Sequence, residues 1–393
     1  MRLFAAIFAL GVLSFAQDLT GRWDATVQFQ DVLVPFQLEL ATSSSGAQAW
    51  LFNGSERSTS TGGTFDKGAL KLQFAQVATR LEATLKDGKL DGTYFGDRRT
   101  GSLKFHAESA KAKPAADPNA PQIGGEWIIP VKSGKGESAW RFLVDQTGAD
   151  VKATILRVDG DTGALTGRYA DGKFRLSHFS LQRPAVLEVV LQADGTLALA
   201  MNVKTKYTAV RPAQAKAQGL TPENPEEHTG VQNPSEPFRF SFKDVNGKVV
   251  SNTDDRFKGK VMIVSMTGSW CPNCHDEAPY LAELYRTYRA QGLEVVGFSF
   301  EEEDQLENPT RLKAFIKSYG IDYPMLVCGL PDDASTKLPQ LKNFNAWPTI
   351  LMFGRDGKFR MAHAGFPSDG SGAIYKQTKR DMASNVERLL AEK

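Results

Sequence analysis

Residues 260–268, KVMIVSMTG, form an apolar run without polar alternation, and this restricts the fold more than any other stretch of the chain. A strand that is apolar on both faces has to be covered on both, as in a parallel sheet flanked by helices. The run leads into GSWCPNCHDEAP, residues 268–279, and a helix is expected directly after it, over roughly residues 273–290, with Leu281, Leu284 and Tyr285 inward. LEVVGFSF repeats the buried-strand pattern. NPTRLKAFIKSYG reads as a helix with Pro309 near its start and Gly320 past its end. YPMLVCG and WPTILMFG read as further strands, DGKFRMAHAG pairs back through a D-G turn, and the last twenty or so residues form an amphipathic helix. With FRFSF and KVVSN placed as strands around DVNGK, residues 238–393 are expected to form an α/β sandwich.

A chain of 393 residues has room for two or three domains. Upstream of the sandwich, two segments look like copies of one another. LTGRWDATV matches IGGEWIIPV, VPFQLEL matches WRFLVDQ, GTFDKGALKLQF matches GRYADGKFRLSHF, and RLEATLKDGKLDGTY matches VLEVVLQADGTLALAM. Alternating apolar residues separated by D-G and K-G turns indicate short antiparallel strands. Two tandem all-β modules, barrels or sandwiches, are therefore expected over residues 17–106 and 123–210. Trp23 and Trp127 are expected as core anchors rather than ligand stackers. Residues 107–122 and 211–237, rich in Ala, Pro and polar residues, read as extended, flexible linkers.

The first sixteen residues, MRLFAAIFALGVLSFA, carry one arginine, an apolar core, and small residues at Ser14 and Ala16 before a cut at Gln17. This is the pattern of a secretory signal peptide, so the mature protein is expected in the periplasm or cell envelope, without a membrane span. Formal charge is +2, from 47 basic and 45 acidic side chains, which gives no reason to expect nucleic acid or an anionic membrane as a partner.

Cys271, Cys274 and Cys328 are the three cysteines of the chain, too few for a disulfide-stapled scaffold. A C-x-x-C where a buried strand turns into a helix has a chemical logic. Cys271 at the helix N-terminus meets unpaired N–H groups and the positive dipole end, which favour a thiolate. Cys274, about one turn further on, lies within disulfide reach and can resolve a mixed disulfide. Trp270 would shield one side of the pair. C-P-N-C-H can also be read as a haem attachment site with His275 as ligand, or as half of a zinc site. No second copy and no second ligand pair accompany it, and the strand before it suits neither. Cys328 reads as a buried strand residue, and the acids of residues 301–304 as a solvated loop that could select substrates.

The stretches GKVMIVSMTGSWCPNCHDEAP and FNAWPTILMFGRDGKF resemble the TlpA-like thiol–disulfide oxidoreductases of the thioredoxin superfamily, over residues 234–393. The resemblance implies a redox-active Cys271–Cys274 pair acting on protein thiols and disulfides without organic cofactor, metal or haem. It implies electrons from a membrane donor of the DsbD type. It also implies that Pro348 is cis and that Trp347 offers its backbone to a substrate, whereas the residues alone would fit a trans proline opening an edge strand. Glu277 occupies the place where the family carries a proton-handling acid; a dipole-favoured, solvated glutamate is the other reading. Ser265 stands where thioredoxins proper carry a buried aspartate, which shifts the weight to Glu277. Pro279 implies a kink in the helix. Two alternatives remain open. One is a thiol peroxidase of the peroxiredoxin type, although Thr267 lies one residue too far from Cys271. The other is an envelope binding or scaffold protein whose main function lies in the β modules.

Overall fold

The computed structural model describes residues 18–113 and 115–392. The expected leader, residues 1–16, lies outside the described residues. Within them, the first β module is a sheet of nine antiparallel strands from Gly21–Phe29 to Ser102–Ser109; these two strands pair with each other, and the sheet stays open between Glu56–Thr59 and Gly62–Asp66. The sheet thereby curls into a near-barrel. Along Val32–Ser43 the residues Val32, Val34, Phe36, Leu38 and Leu40 are all buried, the alternation expected of a strand with one dry face. The second module is a further antiparallel meander, from Gly125–Pro130 to Thr205–Ala209, closed by two hydrogen bonds of 2.8 Å between Ile128 and Val210. Trp23 and Trp127 are both buried, and each indole donates to the carbonyl four residues earlier, Leu19 at 3.0 Å and Ile123 at 2.7 Å.

The modules are not strung apart. Phe179, Leu181 and Val186 of the second module belong to the hydrophobic core of the first. Asn53 exchanges two hydrogen bonds with the Phe179 backbone, at 2.9 and 3.0 Å, and the Tyr94 hydroxyl donates to Leu181 O at 2.6 Å. The loop through residues 179–184 is thus plugged into the first module.

Neither linker reads as expected throughout. The strand Ser102–Ser109 runs into the first. The second, residues 211–237, is not extended: Pro212–Ala217 and Pro225–His228 are short helices with proline at the first turn, where its missing N–H costs nothing. Gly230–Val231 then pairs with Leu341–Lys342 of the last domain.

In that domain the strands are β1 (Ser241–Asp244), β2 (Val249–Ser251), β3 (Val261–Thr267), β4 (Leu293–Phe300), β5 (Met325–Gly329), β6 (Thr349–Phe353) and β7 (Phe359–Ala364). They form one sheet in the order β2-β1-β5-β4-β3-β6-β7. The β3–β4 and β4–β5 pairs are parallel, and the others are antiparallel. Helices α1 (Pro272–Tyr288), α2 (Thr310–Tyr319) and α3 (Ala373–Ala391) flank it. All seven residues of β3 are buried, as its continuous apolar pattern requires.

Candidate functional site: a buried dithiol at a strand-to-helix turn

β3 ends at Thr267, and after three intervening residues the chain enters α1, with Cys271 as its N-cap and Pro272 in the first turn. Cys271 N–H closes the turn onto Gly268 O at 3.0 Å, and Cys274 N–H donates to Cys271 O at 3.0 Å. A buried polar cluster fixes this turn. Glu301, fully buried, accepts from Ser269 N–H at 2.8 Å, from Ser269 Oγ at 2.6 Å and from Ser299 Oγ at 2.6 Å. Arg311 of α2 donates to Ser269 Oγ at 2.8 Å and pairs with Glu301 at 3.1 Å and Glu302 at 2.7 Å. Glu301 and Glu302 are therefore not the solvated acids their composition suggests, because Arg311 pairs with both, whereas Glu303 and Asp304 are exposed as expected. Sequence proximity could not reveal this, since the partner arrives from another helix.

His275, the ligand that a haem reading of C-P-N-C-H would need, is held by the protein itself. Its Nε2 bonds Ser269 O at 2.9 Å, its Nδ1 bonds the Tyr319 hydroxyl at 2.9 Å, and its ring packs edge-on against Phe315. Burial pushes its pKa down to about 4, so the ring is neutral, with Nε2–H donating to the carbonyl and Nδ1 accepting. Both ring nitrogens are committed to protein, which leaves none for the iron of a haem.

Cys271 and Cys274 are both free thiols and both buried. They differ sharply in acidity. Burial pushes the Cys271 thiol up, but the Cys274 thiol and N–H and the Arg183 charge bring it below the ordinary thiol range. Cys274 is held well above that range by burial, by Cys271 and by the Glu277 charge. Glu277 is buried; Ser265 Oγ donates to its Oε2 at 2.7 Å, and Oε1 has no hydrogen-bond partner. Desolvation, with a further contribution from Cys271, raises Glu277 to about 8.

The Trp347–Pro348 bond is cis. Trp270 lies 5.7 Å from Trp347, centroid to centroid, and its indole donates to Phe300 O at 2.8 Å. With the two cysteines, these tryptophans form one apolar cluster. Cys328 stands apart, its thiol on Leu326 O at 3.6 Å within the core over the other face of the sheet.

Three residues of the second β module, invisible to motif reasoning, complete the site. Arg183 donates to Asn273 Oδ1 at 3.3 Å, Gln182 to Trp270 O at 3.3 Å, and Asn273 itself donates to Asp159 O at 2.5 Å. From the first module, the Arg99 guanidinium lies 4.3 Å over the Trp270 ring.

A parallel core sheet, a C-x-x-C capping the helix after β3 and a proline opening the neighbouring β6 together define a thioredoxin-like domain. Residues 234–361 match the model of the AhpC/TSA family. Over 119 residues the chain is 29% identical to the thiol-disulfide oxidoreductase ResA of Bacillus cereus (strain ZK / E33L), covering 30% of this chain and 62% of the relative. The protein of that name from Bacillus subtilis (strain 168) is likewise 29% identical over 119 residues, 60% of its length. The chain thus spans about three-fifths of the length of the curated relatives it matches. A solved thiol:disulfide interchange protein of the thioredoxin family from Chlorobium tepidum TLS is 24% identical, with 41% of this chain and all of that chain covered and a TM-score of 0.33.

Proposed function

We propose that the chain is an exported thiol–disulfide oxidoreductase that reduces protein disulfides through Cys271 and Cys274. The observation that carries this reading is geometric: Cys271 caps the N-terminus of α1, Cys274 lies one turn on, and both are buried with Glu277 on the same helix. Cys271 Sγ, as thiolate, attacks one sulfur of a substrate disulfide. The S–S bond breaks, a mixed disulfide forms, and the departing thiolate takes a proton from water. Glu277 accepts the Cys274 proton; Cys274 Sγ attacks Cys271 Sγ and expels the second substrate thiolate. Two electrons pass to the substrate, and Cys271–Cys274 is left as a disulfide.

Trp347 and Pro348 position the substrate backbone, and Trp270 keeps water from the sulfurs. A membrane reductase of the DsbD type returns the two electrons. Export to the periplasm or cell envelope is supported by the apolar leader; among the described residues no helix is long and apolar enough to cross a membrane. The peroxidase reading is less favoured, because a resolving thiol stands one turn away on the same helix and the matched relatives bear the name of thiol-disulfide oxidoreductases.

The test is insulin reduction with dithiothreitol as donor. Wild-type protein accelerates precipitation of the insulin B chain, and Cys271→Ser does not; equal acceleration by both overturns the reading.

A further inference from the structure

Thiol–disulfide exchange requires the attacking sulfur to meet a substrate sulfur in line, yet Cys271 is only 1% exposed. Another domain packs against the dithiol turn. Residues 158–161, at the tip of a hairpin of the second β module, run along the end of β7. Gly160 forms a parallel β-bridge with Phe366, and Val158 packs with Ala346 and Ala364, next to Trp347 and Gly365. Asp159 turns its carbonyl to the Asn273 amide, one residue from each of Pro272 and Cys274. Its carboxylate is held by Lys135 and Arg157 of its own module. Beside it, Gln182 and Arg183 fasten Trp270 and Asn273. Cavities of about 540 and 200 Å³ flank this second contact, and neither is lined by Cys271 or Cys274.

The fit is close. Gly160 has φ +114°, and a Cβ there would collide with the Asn273 amide and the Phe366 carbonyl. Two carboxylates hold the arrangement from behind: Asp161 and Glu56 accept from Ser368 Oγ at 3.2 and 2.6 Å, and Glu56 also from Gly370 N–H at 3.0 Å.

An extended segment, main-chain pairing along a strand end, a carbonyl taken by a side-chain amide and a small residue at closest approach form the pattern of strand-type peptide recognition. Such contacts read backbone more than side chains, which suits a reductase with varied protein substrates. We infer that Asn273, Gly365 and Phe366 form a docking edge for an extended segment of a substrate protein, and that residues 158–161 fill this edge in the substrate's place. A protein disulfide then reaches Cys271 only when the β modules swing away. Because residues 179–184 are rooted in the first module through Tyr94 and Asn53, both modules leave together. The inference rests on the proposed dithiol chemistry.

The test uses the full-length reduced protein, with alkylation of Cys271 by iodoacetamide followed by mass spectrometry. Gly160→Val, which no longer fits the edge, and Gln182→Ala, which only removes a fastening, are each expected to alkylate Cys271 about tenfold faster or more, and to speed insulin reduction in parallel. A millimolar peptide of the sequence LRVDGDTG is expected to slow alkylation of the Gly160→Val protein, and a scrambled peptide to leave it unchanged. Wild-type alkylation rates in both variants, with wild-type circular dichroism, overturn the cover. Faster alkylation without protection by the peptide overturns the docking edge. Loss of the underlying chemistry is seen separately, as insulin reduction that survives Cys271→Ser.

Discussion

Ser265 Oγ donates to Glu277 Oε2 at 2.7 Å, joining the strand that enters the dithiol turn to the helix that leaves it. Ser265 is itself no proton acceptor, but its hydroxyl orients the Glu277 carboxyl. In the proposed mechanism, the serine standing where thioredoxins proper carry an aspartate thus holds the glutamate that takes the Cys274 proton.

Glu277 is raised to about 8 by burial, so it is protonated at neutral pH and becomes a base as pH passes that value. Insulin reduction by the wild type is therefore expected to rise through pH 8. Glu277→Gln is expected to lack that rise and to run about a hundredfold slower. A parallel pH profile for the two proteins would remove Glu277 from the mechanism.

The raised pKa of Glu277 also has a consequence for stability. Between the ordinary carboxylate range and about 8 the folded chain binds a proton at Glu277 that the unfolded chain has released, so stability contributed here falls as pH rises through this window. Urea titrations at pH 6 and pH 9 check it. The Glu277→Gln protein should gain on the wild type at pH 9, by a few kcal/mol at most, since each tenfold difference in proton affinity between the folded and unfolded chains is worth about 1.4 kcal/mol.

His275 and His363 are both pushed down to about 4 by burial. Here the unfolded chain binds more protons than the folded one between pH 6.5 and 4, so stability drops as pH falls through that range. Replacing either histidine by asparagine is expected to flatten part of the drop, as read by thermal unfolding at about pH 4.5 and 7. The pair also tests the claim that His275 is a neutral structural residue.

The Glu301–Arg311 pair yields a prediction about the turn before Cys271. Arg311→Met strands a buried carboxylate and is expected to cost about 3–5 kcal/mol in urea unfolding. Arg311→Met combined with Glu301→Gln should recover part of that loss, because no charge is left buried. Additive losses in the double variant would show that the two side chains act independently.

Much of the thioredoxin-like domain was legible from local pattern. The apolar period of β3, the C-x-x-C at its end and the proline before β6 are each written within a few residues, and the alternation in the β modules shows their strands. What could not be read depends on contacts between distant segments. Glu301 is one acid among four until Arg311 reaches it from α2. Asn273 is a spacer between two cysteines in the sequence, and only the assembled chain brings Asp159 and Arg183 to its side chain. The prolines of residues 211–237 suggest extended chain, but proline is equally at home in the first turn of a helix, and the pairing of this segment with Leu341–Lys342 is set by tertiary structure.

The central claim is that Cys271 attacks and Cys274 resolves, and trapping tests it most directly. Cys274→Ser protein, reduced, freed of reductant and mixed with insulin, should accumulate a covalent complex that dithiothreitol dissolves. Tryptic mass spectrometry should place the mixed disulfide on Cys271. A complex formed through Cys328, or no complex while the wild type turns over, would contradict the account.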